Sequence, residues 1–150
     1  MSEIERLIDR RDLEVVAPSE AHAALLMEQA AGHLEAAGSL LHQHPPSAYA
    51  LLYDAARKAM AAVLARQGLR ATSQGGHLVV QEAIEAQMGP NVRHVVRSFR
   101  QLRKRRHESE YPRIEDLPIS ANEAVEALAD AGDIVDRMRT FLPLLGPFRP

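Results

Sequence analysis

Between Asn91 and Pro112 the chain reads NVRHVVRSFRQLRKRRHESEYP, and seven of its 18 Lys and Arg residues fall between Arg93 and Arg106. At about 100° per residue, Arg93, Arg97, Arg100, Lys104, His107 and Tyr111 share one helix face. Val95, Val96, Phe99 and Leu102 share another. The apolar face then runs on into Arg103, Arg106 and Glu110, so a helix that buries aliphatic side chains ends by pointing charges at the same partner. Half-buried charge is costly unless it is paired. Arginines placed there serve a fixed ion pair or a site.

A second constraint follows directly. From Ile114 to Asp136 there are seven acids and no Lys or Arg. A basic helix is followed by an acidic one. Either the two pack side by side and neutralise each other, or they form a basic cleft with an acidic back. The net charge of −2 argues against indiscriminate nucleic-acid binding.

A chain of 150 residues is long enough for one domain with a real core. Ala and Leu dominate, and aromatic residues are only 4%, which favours helix over sheet. Without cysteine, neither disulfide nor thiolate chemistry is available. The charged start, SEIERLIDRRD, has no apolar signal core. No apolar run approaches the roughly 18 residues of a membrane span. These features predict a soluble, cytoplasmic protein that makes no membrane contact.

The pattern predicts an all-α, up-down bundle of four to five main helices plus a short N-terminal helix. Residues 1–18 form the short helix and a linker, 19–142 the bundle, and 143–150 a Pro-rich tail. Ser19 is the expected N-cap of a helix to about His42, with a stripe of Ala24/Leu25, Ala31, Leu34, Gly38 and Leu41. Gly32 and Gly38 would allow another helix to approach closely. The next helix, about Ser47 to Gln67, carries Tyr49, Leu52, Ala56, Met60, Val63 and Leu64, and is the most buried. Leu13–Ala17 is too short to assign, and Arg70–Gly76 reads as a loop. A shorter helix spans about His77 to Gln87. The basic helix spans about Asn91 to Tyr111. Ser120 and Glu123 form a capping box for a last helix to about Leu142, with Val125, Leu128, Ile134/Val135, Met138 and Leu142 inward.

Two stretches resemble the HEPN family of small helical-bundle proteins, in its actinobacterial form. One is SAYALLYDAARKAMAAVLARQGLRATSQGGH, Ser47 to His77. The other is LRKRRHESEYP, Leu102 to Pro112, which stands where the family places an Arg-polar-x-x-x-His motif. The resemblance runs from about Ala21 to Leu142. It implies a bundle that dimerises with two motif helices face to face. Many members are metal-independent ribonucleases, often toxins paired with a nucleotidyltransferase antitoxin. Others are inactive and bind nucleotides or other ligands.

RNA is cut without a metal when a base takes the 2′-OH proton and cations stabilise the phosphate charge. Histidine suits the base and arginine the phosphate. With Arg106 as the motif arginine, His107 takes the polar slot and Tyr111 the histidine slot. A second register pairs Arg100 with His107 on one face. The Arg106 register is preferred because it lies against Pro112. The expected catalytic set is Arg106, His107 and Tyr111, with Arg100, Arg103 and Lys104 on RNA. Tyrosine, with a pKa near 10, is a poor base at neutral pH, so an inactive dimeric module binding a nucleotide or a protein stands beside the ribonuclease reading. Arg106 and Glu110 also form an i, i+4 ion pair that can be structural. Gly75-Gly76-His77 reads as a turn rather than a phosphate loop. No His pair or HExxH motif predicts a zinc site, and no cofactor is expected. The low aromatic count argues against recognition by base stacking.

Overall fold

In the computed structural model the residues described are 1–74 and 76–149. The Gly75-Gly76-His77 turn therefore falls partly outside the described residues, as does the last proline of the tail. Six α-helices are described: α1 (Glu3–Asp9), α2 (Glu20–Gly38), α3 (Pro45–Gln67), α4 (Gly76–Met88), α5 (Arg93–Glu110) and α6 (Ala121–Phe141). The all-α expectation holds, with one addition. Strands β1 (Leu13–Val15) and β2 (Leu69–Ala71) pair antiparallel, Glu14 opposite Arg70.

The helix ends follow the local chemistry. Ser2 and Glu5 reciprocate as a capping box at α1. Ser19 Oγ accepts from the His22 N–H at 3.0 Å to open α2. Pro45 and Pro46 occupy the first turn of α3, where a missing N–H costs nothing. Gly68 ends α3 at φ 81°, a left-handed conformation that favours glycine. The same residue launches β2, and its carbonyl accepts from the Val16 N–H at 2.8 Å. A Cβ there would stand 2.7 Å from the Val16 carbonyl oxygen and 2.9 Å from Pro18 Cγ. Close packing against the β1–α2 linker thus requires glycine for a second reason.

Helix α3 is the centre of the bundle. Its Tyr49, Leu52, Ala56, Met60, Val63 and Leu64 are all buried, as its pattern predicts. Helices α2, α4, α5 and α6 pack around it. On α5, the buried positions are Val95, Val96, Phe99 and Leu102, also as predicted.

Two faces differ from expectation. The buried side of α2 is Ala23, Ala30 and Ala37, while Ala24, Leu25, Ala31 and Gly38 are exposed. Helix α2 is rich in alanine on several sides, so period alone does not choose between adjacent stripes. A Cβ at Gly32 or Gly38 would meet nothing within 4 Å, so neither glycine seats another element among the described residues. On α6, Val125 is 43% exposed and Ala124, Ala127 and Ala131 take the inner face. Alanine there lets α6 lie close to α3. Helix α2 also stops earlier than predicted, because the Ser39 and Leu40 N–H groups turn to the i−3 carbonyls of Ala36 and Ala37. The Pro-rich tail is tied down: the Phe148 N–H donates to the Gln67 carbonyl at 2.9 Å, and Phe148 packs on the core.

A cationic pocket at the end of helix α5

The C-terminal half of α5 lies over Tyr53 of α3. Tyr53 is buried, and its ring stacks on Phe99 with centroids 5.4 Å apart. The Arg106 guanidinium also lies over that ring, 5.4 Å from its centroid. Burial pushes the Tyr53 hydroxyl pKa up, opposed by the positive charges of Arg103, Arg57 and Arg106. Tyr53 therefore supplies a neutral aromatic floor at neutral pH.

Above that floor is a pocket of about 550 Å³ lined by Tyr53, Arg103, Lys104, Arg106, His107 and Glu108. Arg106 also borders a second, smaller hollow of about 300 Å³ with Tyr49, Ser109, Glu110 and Ile119. Its guanidinium pairs with the Glu110 carboxylate one turn on. Arg106 thus stands between the two hollows, held by an aromatic face and a carboxylate.

The structure brings Arg103, Lys104, Arg106 and His107 together and separates two other residues from them. Arg100 turns to α4. It reaches Glu85 at 3.4 Å and, with the Gln81 amide turned so that its carbonyl faces it, donates to that carbonyl from Nε at 2.6 Å. Gln81 is fully buried, so Arg100 satisfies an otherwise unpaired group between α4 and α5. Tyr111 is 64% exposed and tilts against His107 with ring centroids 5.0 Å apart. It lines neither hollow.

Arg105 is the residue that sequence reasoning missed. Its side chain is 21% exposed, against 37% for Arg106. Its Nε and Nη2 donate to both Glu123 carboxylate oxygens, at 2.7 and 3.1 Å, and Nη2 also reaches the Leu117 carbonyl at 3.1 Å. Glu123 is at the same time the capping-box acid of α6, whose oxygen accepts from the Ser120 N–H. The Arg105 bond, with that cap, holds the Glu123 carboxyl below its usual range against the opposing effect of burial. One bidentate pair thereby fixes the end of α5 to the start of α6. Tyr49 packs beside it, and burial together with the Glu123 charge pushes its pKa up to about 12. A signal existed: Arg105 follows buried Leu102 by three residues, on the flank that turns toward the next helix.

The basic and acidic helices do pack side by side, through Arg105–Glu123 and His94–Asp133 at 3.2 Å. Yet Arg93, Arg97, Arg103 and Lys104 have no acidic partner among the described residues. Neutralisation is local and the outer face of α5 stays cationic. Arg57 does not join this pocket. Its guanidinium is held by Asp54 at 2.8 Å, and it lines a separate cavity with α2 and α4 residues. Asp54 meets Lys58 at 3.9 Å, a weaker partner than Arg57. No group of three or more His, Asp or Glu side chains that could hold a metal ion occurs among the described residues, and no described helix is long and apolar enough to cross a membrane.

The bundle gathers arginine, lysine and histidine at the end of one helix over a buried tyrosine, which makes it a small all-α protein with a cationic pocket. A family model for the HEPN domain matches residues 23–140, most of the chain, and the chain belongs to that family. Comparison with curated proteins and with solved structures gave no match.

Proposed function

We propose that this HEPN protein acts on RNA as a homodimeric, metal-independent ribonuclease, with the α5 pocket as its active site. The observation that carries the reading is the meeting of Arg103, Lys104, Arg106 and His107 in one open pocket, with Arg103 and Lys104 free of acidic partners among the described residues. His107 is exposed and can reach a 2′-OH. As base it takes that proton, the 2′-oxygen bonds to phosphorus, and the 5′-oxygen leaves and is protonated by solvent. Arg106 exchanges Glu110 for a phosphate oxygen and stabilises the charge of the crowded phosphorus. Arg103 and Lys104 hold neighbouring phosphates. Two motif helices face to face would double this charge. A toxin role, with a nucleotidyltransferase as antitoxin, rests on the family resemblance alone.

A second reading is supported by two specific contacts. Glu110 already occupies Arg106, and Tyr111 stands exposed where the motif expects a histidine. An inactive dimeric module that binds a nucleotide or a protein partner fits those features. The ribonuclease reading requires RNA phosphates on α5. Fluorescence anisotropy with a labelled single-stranded RNA across a salt series tests that requirement. Replacing Arg103 and Lys104 by Ala should weaken binding and lower the salt slope by about 0.7 for each phosphate no longer neutralised. Equal affinity and slope in the variant would remove RNA from this face.

A further inference from the structure

A larger cavity lies away from the cationic pocket. It measures about 730 Å³, and none of its lining residues belongs to α5 or α6. It opens where the start of α2, the second half of α3, β2 and the start of α4 meet. Leu26, Ala61, Leu64 and Val80 form an apolar floor. His22, Arg57 and Arg70 bring cationic or potentially cationic groups from three different elements, and among the described residues no Asp or Glu lines the space.

Both arginines are anchored from behind. Arg57 places Nε and Nη2 on Asp54 Oδ1, at 3.2 and 2.8 Å. Arg70 places Nε and Nη2 on Glu14 Oε1, each at 2.7 Å. Each guanidinium therefore has one edge fixed, while its Nη1 has no partner among the described residues. Arg57, with 26% of its side chain exposed, is positioned before a ligand arrives, while Arg70, 66% exposed, stands on the open rim. Asp54 is also shared: Lys58 lies 3.9 Å and the His33 imidazole 3.5 Å from it. The His22 imidazole makes no hydrogen bond among the described residues. A cavity of this size with an apolar floor and a few convergent polar groups has the character of a small-molecule site.

We infer that this cavity binds a small amphipathic anion, its apolar body on Leu26, Ala61, Leu64 and Val80 and its acidic head group on Arg57, Arg70 and His22. Ligands of this class carry a carboxylate, sulfonate or phosphate on an aliphatic or aromatic body. The site is independent of the α5 pocket.

The full-length protein is titrated with anilinonaphthalene sulfonate at low ionic strength, and the dye is then displaced with decanoate or with decanol, its neutral counterpart. One dye should bind per chain, and decanoate should displace it about tenfold or more better than decanol. Arg57→Gln and Arg70→Gln should each weaken the dye by about tenfold. Ala61→Phe should abolish binding by filling the floor, and Arg106→Ala should leave it unchanged. The inference is overturned by absence of dye binding, or by equal displacement by decanoate and decanol. It is equally overturned if Arg106→Ala weakens the dye as much as Arg57→Gln does. Should Ala61→Phe lower the melting temperature, the Arg57→Gln, Arg70→Gln double variant carries the test, and unchanged dye affinity in it overturns the site.

Discussion

The guanidinium of Arg106 lies over the ring of Tyr53, 5.4 Å from its centroid, and so ties the end of the basic helix to the most buried helix of the bundle. Two residues more than fifty positions apart thereby set the floor and the cationic wall of one pocket. The ring face carries that contact. Tyr53→Leu should lower RNA cleavage at the proposed site about two- to fivefold, the worth of an exposed cation–π contact. Single-turnover rates on one RNA substrate check this.

Arg105 and Glu123 join α5 to α6 through a bidentate pair made with the carboxylate that also serves the α6 capping box. Arg105→Ala leaves Glu123 and the Leu117 carbonyl without that donor. It should cost about 1–3 kcal/mol by urea unfolding at pH 7, the range for charge-assisted hydrogen bonds and a helix cap. The Glu123 carboxyl is held below its ordinary value, so its contribution is present above the unfolded value. It is lost as pH falls through the lowered one. Wild type should therefore lose stability below about pH 4.5, and Arg105→Ala should show a smaller part of that loss.

Tyr49 titrates in the opposite sense. Its hydroxyl is pushed up to about 12 by burial, so folding disfavours the phenolate. The contribution is complete below the unfolded value near 10 and is lost as pH rises toward about 12. Melting temperatures measured from pH 9 to pH 11.5 should fall less steeply for Tyr49→Phe than for wild type.

Gly68 is required twice, by its φ of 81° and by the Val16 carbonyl 2.7 Å from where a Cβ would stand. Gly68→Ala should destabilise the fold by about 2 kcal/mol or more. Gly32→Ala, with nothing within 4 Å and a helical backbone, should instead be neutral or stabilising by up to about 1 kcal/mol. Thermal unfolding of the two variants side by side checks the contrast.

Much of this architecture was legible. The α5 faces follow from period alone, because Val95, Val96, Phe99 and Leu102 contrast sharply with the arginines around them. Ser120 and Glu123 announce their helix by spacing. The α2 face was legible only in part: Leu34 and Leu41 meet the core as their stripe predicts, but alanine on several sides offers equivalent stripes for the rest. Strand β1 was hidden by its length: three residues carry too little alternation, and their partner β2 lies beyond two helices. At the site, the clustering of Arg103, Lys104, Arg106 and His107 could be read from one helix. The roles of Tyr53, Arg100 and Arg105 could not, because each depends on a residue brought in from another element.

The most direct test of the proposed activity is to incubate the purified protein with single-stranded and structured RNA in EDTA, beside an Arg106→Ala, His107→Ala double variant. Sedimentation would confirm that both share one oligomeric state. Cleavage by wild type and none by the variant is the predicted result. Intact RNA with a dimeric wild-type protein, or equal cleavage by the variant, would contradict it, and the former would favour the inactive ligand-binding module.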